Sequence, residues 1–331
     1  VIIDSFQSSA AHGFVVEGAA ASLGSTGTVF RYSQHDTSQG RATMPHVDAI
    51  ATLQVGISAE ALPAEQARQQ LQSFISDAAA GNLRLATSVL KSVEKEGFQN
   101  SVVNLSQGLD ALTLLHLVKH PLGPKSKLSA GQQEVYRSNL DSAVAAPLGS
   151  TEQQRDQRLL QEIKSALASL PAVEQAVEDW RAQVRSFETD HNSVVLAAGN
   201  SGQALKGLQQ AGFEIDGSED RNLLSVPEVT TVGAIKTGPQ GQLSLAGASS
   251  FGPEVDFIAD GDHAGRFGTS FASPKVANAM RGAHLANPTF TSDQVEDWVR
   301  SELSEQVQIG HHPVAILDTH KASRLLSILN S

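Results

Sequence analysis

Six short apolar runs, separated by longer stretches of helical periodicity, restrict what this chain can fold into. The runs cover residues 1–3, 28–32, 101–105, 193–198, 229–235 and 255–259. Each has strand length, is rich in β-branched residues and is bounded by Gly, Asn, Asp or Ser. They alternate little between apolar and polar positions, as expected of strands buried on both faces. The intervening segments repeat their apolar residues at helical spacing. Residues 63–79 carry Ala67, Leu71, Phe74, Ile75 and Ala78, and residues 83–95 carry Leu83, Ala86, Val89, Leu90 and Val93. Residues 151–188 carry two stripes, through Leu160, Ile163, Leu167 and Leu170 and through Val173, Val177, Trp180, Val184 and Phe187, with Pro171 between them. That pattern predicts a helical hairpin or broken helix, with Ser150 and Gln153 as its capping box. Strands alternating with helices in this way predict an α/β fold with a parallel sheet covered on both sides.

Composition removes whole classes of function. The 331 residues include no Cys, which excludes disulfides, zinc–thiolate and iron–sulfur sites, and thiol catalysis. Asp and Glu total 35 against 24 Lys and Arg, a net charge of −11, which disfavours a nucleic-acid partner. No apolar run is long enough to span a membrane, and no signal peptide is visible. The chain opens directly on the strand-like Val1, Ile2 and Ile3, so upstream sequence is expected to have been removed.

Three segments together carry chemistry. Asp4 leaves the first apolar run, followed by Ser5 and Phe6. His12 and Gly13 open a segment of small residues that runs through Val16, Gly18 and Ala19. Far downstream, Gly268, Thr269, Ser270, Phe271, Ala272, Ser273 and Pro274 form a turn entering a helix. A serine hydroxyl is a weak nucleophile. It needs a His to take its proton and a carboxylate to fix the His tautomer. A helix N-terminus adds free N–H groups and positive potential. Pro274 is expected in the first helical turn, where its missing N–H costs little.

These segments resemble the motifs of the subtilisin-like serine proteases, the subtilases. The third motif differs from the family pattern only in Phe271 for Met. The second keeps His12, Gly13, Val16 and Gly18 but has Phe14, Val15 and Glu17, and the first has Phe6 where Gly is usual. The order Asp, His, Ser is that of subtilisin. The segment from Ser193 to Gly202 resembles the strand and turn carrying the family's oxyanion-hole Asn, here Asn200, with Ala198 and Gly199 beside the substrate. Val102 to Gly108 resembles the strand that pairs with substrate and walls its specificity pocket, giving Ser106, Gln107 and Gly108 as substrate-binding residues. Val229 to Ala234 and Ser249 to Asp256 resemble the two late strands before the nucleophile. The likeness runs collinearly over residues 1–290.

The resemblance implies a three-layer, doubly wound, mostly parallel sheet in a single catalytic domain spanning residues 1–331. It implies a serine endopeptidase with Asp4, His12 and Ser270 as triad and an acyl-enzyme intermediate, acting on peptide or protein substrates. An N-terminal pro-segment would serve as inhibitor and folding aid, making the precursor a zymogen. Family habit points to a bacterial-type secreted or periplasmic protein, with intracellular members a minority. No cofactor is required; structural calcium is possible in the family but is not indicated here, because the segment after His12 is too short for the usual calcium loop. Two departures stand out. Asp4 and His12 are only eight positions apart, and residues 109–190 form a helical insertion that would act as lid, exosite or interaction surface. The altered first and second motifs leave open a non-catalytic binding or sensor protein. A weaker alternative is an esterase or acyltransferase on the same triad.

Other residues have ordinary readings. His116 and His120 are spaced to share a helix face but lack a metalloprotease Glu, so they read as solvated histidines. His311 and His312 read as a surface turn. Asp216, Glu219 and Asp220, and likewise Asp260 and Asp262, lack calcium-loop spacing and read as solvated loops.

Overall fold

The main sheet of the computed structural model runs β10-β11-β7-β5-β4-β3-β1-β2, with β6 paired to β5. The structure describes residues 2–4, 12–22, 31–33, 60–106, 108–237, 243–245, 249–309 and 312–329. The strands are β1 (Ile2–Asp4), β2 (Arg31–Ser33), β3 (Val102–Leu105), β4 (Ser193–Ala197), β5 (Thr230–Thr237), β6 (Leu243–Leu245), β7 (Phe257–Asp260), β10 (Ser304–Ile309) and β11 (His312–Leu317). A separate antiparallel pair joins β8 (Asp262–His263) to β9 (Arg266–Phe267). The central strands are parallel. Ile2 stands opposite Asn104, Val103 opposite Val194 and Leu196 opposite Thr231. Among the described residues, only β6 and the β10–β11 hairpin introduce antiparallel pairings into this sheet. The sequence reading gave no strands beyond β7. His312, read there as part of a surface turn, instead opens β11 opposite Ile309.

Alternate residues of the central strands face opposite layers, as a two-unit period requires. Val103, Leu105, Val194 and Leu196 pack on one side against helix α2 (Ala64–Lys95) and helix α6 (Pro171–Glu188). Val102, Val195, Val232 and Phe257 pack on the other against α8 (Thr269–Ala286), α9 (Ser292–Glu302) and α10 (Thr319–Leu329). The result is the expected three-layer, doubly wound α/β architecture. The remaining helices are α1 (His12–Ala21), α3 (Ala111–Lys119), α4 (Ala130–Ala143), α5 (Glu152–Ser169) and α7 (Gly202–Gln210), with a 3-10 turn at His120–Leu122. None of the described helices is long and apolar enough to cross a membrane.

Two sequence expectations about helices change. Residues 63–79 and 83–95 belong to one helix of 32 residues, α2. Gly81 within it costs about 1 kcal/mol relative to Ala. Burial of Ala78, Ala79, Ala80 and Leu83 around it offsets that cost and carries the helix through. The capping box of α5 is Thr151 with Gln154, one residue later than expected, because the Ser150 hydroxyl donates to the Pro147 carbonyl instead. Pro171 then opens α6, where its missing N–H is harmless.

The segment 109–190 contributes to two cores. Helices α3, α4 and α5 close a cluster with the N-terminal half of α2 around Leu71, Ile75, Leu114, Tyr136 and Ile163. Helix α6 instead joins the C-terminal half of α2 over the sheet, through Val173, Trp180, Val184 and Phe187. Lys164 of α5 bridges Asp216 and the fully buried Glu219. The expectation of a solvated acidic loop holds for Asp216, which is exposed, but not for Glu219 and Asp220, which are both buried. Trp180 is also fully buried, and its indole N–H donates to the Leu224 carbonyl at 3.0 Å. Trp180→Ala is expected to cost about 3–5 kcal/mol, by cavity formation, and Trp180→Phe less. Urea denaturation followed by far-UV circular dichroism measures both.

Candidate active site

The sheet reverses its winding between β1 and β3. From β1 the chain adds β2 on one side, then builds β3, β4, β5 and β7 outward on the other. In open α/β sheets the crevice at such a reversal, beyond the carboxyl ends of the strands, is where ligands bind. Asp4 is the last residue of β1, Ser106 to Gly108 follow β3, and Ala198 to Asn200 follow β4. Asp4, Ser106 and the 198–200 turn therefore stand at that crevice, and α8 begins beside Ser106 with Thr269 and Ser270.

Ser270 is held by a reciprocal pair of hydrogen bonds. Its hydroxyl donates to the Ser106 carbonyl at 3.2 Å, and the Ser106 hydroxyl donates to the Ser270 carbonyl at 3.2 Å. Asn104, buried in β3, donates its amide to the Ser106 hydroxyl at 2.8 Å. The position of Pro274 explains this arrangement and corrects an expectation. Pro274 lies in the interior of α8, past the first turn. Its missing N–H deprives the Ser270 carbonyl of the usual i−4 donor. The Ser106 hydroxyl supplies the replacement.

Asn200 is anchored at its oxygen. The Thr269 N–H donates to Asn200 Oδ1 at 3.0 Å and the Thr269 hydroxyl donates to the same atom at 3.3 Å. The Gly199 N–H in turn donates to Thr269 Oγ1 at 3.2 Å. Asn200 is exposed, and its NH₂ group has no partner among the described residues. Gly199 has φ of +118°, which only glycine tolerates readily. Ala198 lies beneath this turn with its side chain buried beside Ile235, Val255, Ile258 and Val314, so only its backbone can meet a ligand. Gly108 is exposed, and an added Cβ would fall 2.0 Å from Asn222 Nδ2.

Asp4 and His12 are placed at the level of the backbone. His12 is the first residue of α1, which packs on α8 through Val16, Ala19 and Phe271, while Asn278 of α8 donates to the Ala20 carbonyl at 3.0 Å. Phe271, the one departure in the third motif, thus fills the seam between the two helices. Gln107 lies outside the described residues. Thr269, Asn104 and Lys275 escaped the sequence reading as site-building residues. Lys275, buried in α8, donates to the Asp260 carbonyl at 2.8 Å, to Asp260 Oδ2 at 3.3 Å and to the Asp262 carbonyl at 3.2 Å. An internal ammonium therefore occupies the place that this acidic loop offers to a cation. Among the described residues no three His, Asp or Glu converge as a metal site. His116 and His120 are exposed.

A second Ser–His contact has a different character. Ser193 Oγ and His284 Nε2 lie 2.9 Å apart, and the Ser292 hydroxyl donates to Ser193 Oγ at 3.0 Å. Ser193 begins β4, the opposite end from Asn200, and both Ser193 and His284 are fully buried. The contact gives the buried Ser193 Oγ and His284 Nε2 their hydrogen-bond partners, while His284 Nδ1 has none. Burial pushes the His284 imidazole down to about 4, with help from nearby His191.

Residues 99–312 match the subtilase family, peptidase family S8. The match covers more than half of the chain, and the chain belongs to the subtilase family. Among solved structures it is similar to the nisin leader peptidase NisP from Lactococcus lactis, with 13% identity over 73% of this chain and 62% of that one and a TM-score of 0.40. It is likewise similar to a cold-adapted subtilisin-like serine proteinase, with 18% identity over 72% of this chain and 61% of that one and a TM-score of 0.37. A lanthipeptide protease shares 13% identity over 95% of this chain and 75% of that one, with a TM-score of 0.44. The chain thus spans about three fifths of the length of the first two. No curated protein matches it.

Two outcomes are expected. Ser106→Ala leaves the Ser270 carbonyl without its donor and should cost about 1–3 kcal/mol. In a Pro274→Ala background, the restored N–H satisfies that carbonyl and the cost of Ser106→Ala should shrink. A double-mutant cycle by urea denaturation measures the coupling. For His284, the unfolded state takes up a proton near pH 6.5, before the folded state does. Wild type should therefore lose stability relative to His284→Gln as pH falls from about 6.5 to about 4. Glu188 and Asp256, both pushed up to about 7 by burial, act in the opposite direction, so the difference between the two proteins is the quantity to follow.

Proposed function

We propose that the chain is a serine endopeptidase. The observation that carries this reading is the meeting of Ser270, Asn200 and Ser106 at the sheet's reversal, in a chain of the subtilase family. Ser270 Oγ attacks the scissile carbonyl carbon while His12 accepts its proton. Asp4 orients His12 and stabilises its cation. The developing oxyanion receives hydrogen bonds from Asn200 Nδ2 and from the Ser270 backbone N–H, one of the amides at the start of α8 that lack intrahelical partners. His12 then protonates the leaving amine, and water hydrolyses the acyl-enzyme by the same steps in reverse. Ser106 to Gly108, continuing from β3, bind the extended substrate backbone by strand addition. Ala198 and Gly199 line the opposite side through their backbone.

The anchoring of Asn200 supports its role. With Oδ1 fixed by Thr269, the NH₂ group is set as donor before substrate arrives, so no reorganisation is needed during reaction. The reading extends to one catalytic domain with helices α3 to α5 as an added surface, an N-terminal pro-segment in the precursor, export from the cell and no required cofactor. The substrates are peptides or proteins.

A fluorophosphonate probe should label wild type and fail to label Ser270→Ala. Folded wild type that resists labelling would instead favour a non-catalytic binding protein. Asn200→Ala should retain labelling but lose about 10²–10³ in kcat, the loss produced by removing this type of donor in subtilisin. Turnover of esters without turnover of the matching peptides would refute the endopeptidase reading.

A further inference from the structure

A buried lysine fastens the loop that feeds α8. Lys275 stands five residues after Ser270 and is only 4% exposed. An ammonium has three N–H donors, and all of them are spent on one short segment. They reach the Asp260 carbonyl at 2.8 Å, the Asp262 carbonyl at 3.2 Å and Asp260 Oδ2 at 3.3 Å. Burying a cation is costly unless it is paired and hydrogen-bonded. The ion pair with Asp260 meets the need for a counter-charge. The two carbonyl bonds do something more, because they grip the main chain on both sides of Gly261. No donor is left over for substrate, so Lys275 takes no direct part in the chemistry.

Gly261 is the base of the β8–β9 hairpin. Its carbonyl accepts from the Gly268 N–H at 3.0 Å, and its own N–H donates to the Ile235 carbonyl of β5 at 2.9 Å. A Cβ there would fall 2.7 Å from Ala234 Cβ and 2.9 Å from the Gly268 carbonyl oxygen, so the backbone is wedged between the two. The hairpin above it is small. Its ladder pairs Asp262 with Phe267 and His263 with Arg266. Asp262, Ala264, Gly265 and Arg266 are exposed, and Phe267 is only partly buried against the core under α8. A two-stranded hairpin is marginal by itself, so its hold on the fold lies at its base, where Lys275 and Gly261 meet. That base ends at Gly268. Gly268 leads directly into Thr269, whose N–H fixes Asn200 Oδ1, and into Ser270.

We propose that Lys275 is a positioning residue for peptide hydrolysis. By tying the Asp260 and Asp262 carbonyls to the body of α8, it fixes Gly268. Through Gly268 it fixes the two oxyanion donors, the Ser270 N–H and the Asn200 amide held by Thr269. The helix thereby secures its own N-terminus from within, since residue 275 holds the loop that delivers residues 268–270. The apolar face of α8, through Ala272, Val276 and Met280, holds the helix on the sheet but does not set the angle at which the chain enters it. The inference rests on the endopeptidase reading for the reaction, and on the three bonds of the ammonium for the hold.

The test separates positioning from stability. Fluorophosphonate labelling followed against probe concentration gives a maximal rate and a half-saturating concentration. Lys275→Met keeps most of the stem and removes the donors. It should lower the maximal rate by about tenfold or more, the scale of loss when reacting groups are misplaced, with little change in the half-saturating concentration. In an Asn200→Ala background the same substitution should have a clearly smaller effect, because one of the donors it positions is already gone. Leu326→Ala, which opens a cavity in α10 against Gly282 in the far half of α8, is the control. At an equal or larger loss of stability in urea it should leave the maximal rate close to wild type. Should Lys275→Met not fold, Lys275→Arg keeps the cation but spreads its donors over a planar fork, and it should show the same fall in maximal rate. Labelled wild type and either folded Lys275 variant with equal maximal rates, a loss matched by Leu326→Ala, or an undiminished effect in the Asn200→Ala background each overturns the proposal and leaves the endopeptidase reading intact. Folded wild type that resists labelling refutes both together.

Discussion

The reversal of strand order between β1 and β3 is the constraint on which the rest of this structure depends. A parallel sheet must be covered on both faces, so its chain ends and loops are forced to the two edges of each strand. Only at the carboxyl edge of the reversal do neighbouring loops diverge and leave a crevice. Asp4, Ser106 and Asn200 arrive there because each ends a central strand or follows one within three residues. Helix α8 must bury against β3, β4, β5 and β7, and that packing carries its N-terminus to the same edge. The site is thus a product of sheet topology before it is a product of any single side chain.

Local chemistry then fixes the geometry within that crevice. A proline inside α8 would ordinarily weaken the helix. Here the carbonyl that Pro274 frees is the one on Ser270, and it is claimed by a hydroxyl from the neighbouring strand. A local defect in one element becomes a cross-link between two. Thr269 works in a similar way, linking Gly199 and Asn200 to the start of α8. Both links join residues more than 60 positions apart, so they pin helix α8 to the sheet without depending on the intervening loops.

Much of this was legible in the sequence, for identifiable reasons. Strands such as β3 and β4 are buried on both faces, so their uninterrupted apolar runs mark them directly. The motif around Ser270 and the turn at Asn200 carry residue types that few other contexts require together. What stayed hidden depends on contacts across the fold. Gly81 looked like a helix end because its tertiary burial could not be seen. Glu219 and Asp220 looked solvated because acidic residues in a Gly- and Ser-containing loop usually are. Lys164, the partner that permits Glu219 to be buried, stands 55 positions earlier in sequence. The hairpin β10–β11 was missed because β10 alternates polar and apolar residues at the end of the sheet, a weaker signature than a central strand's, and β11 opens on a His–Pro pair that reads as a turn.

The long helix α2 has a consequence for how the molecule holds together. At 32 residues it extends about 48 Å. One half belongs to the core formed with α3, α4 and α5, and the other half to the core above the sheet. A helix is a stiff rod, so neither core can melt or shift without disturbing the hydrogen-bonded spine of the other. The added helices are therefore mechanically continuous with the layer that backs β3 and β4, and a load applied at their far end is transmitted along the rod to the strands that frame the crevice.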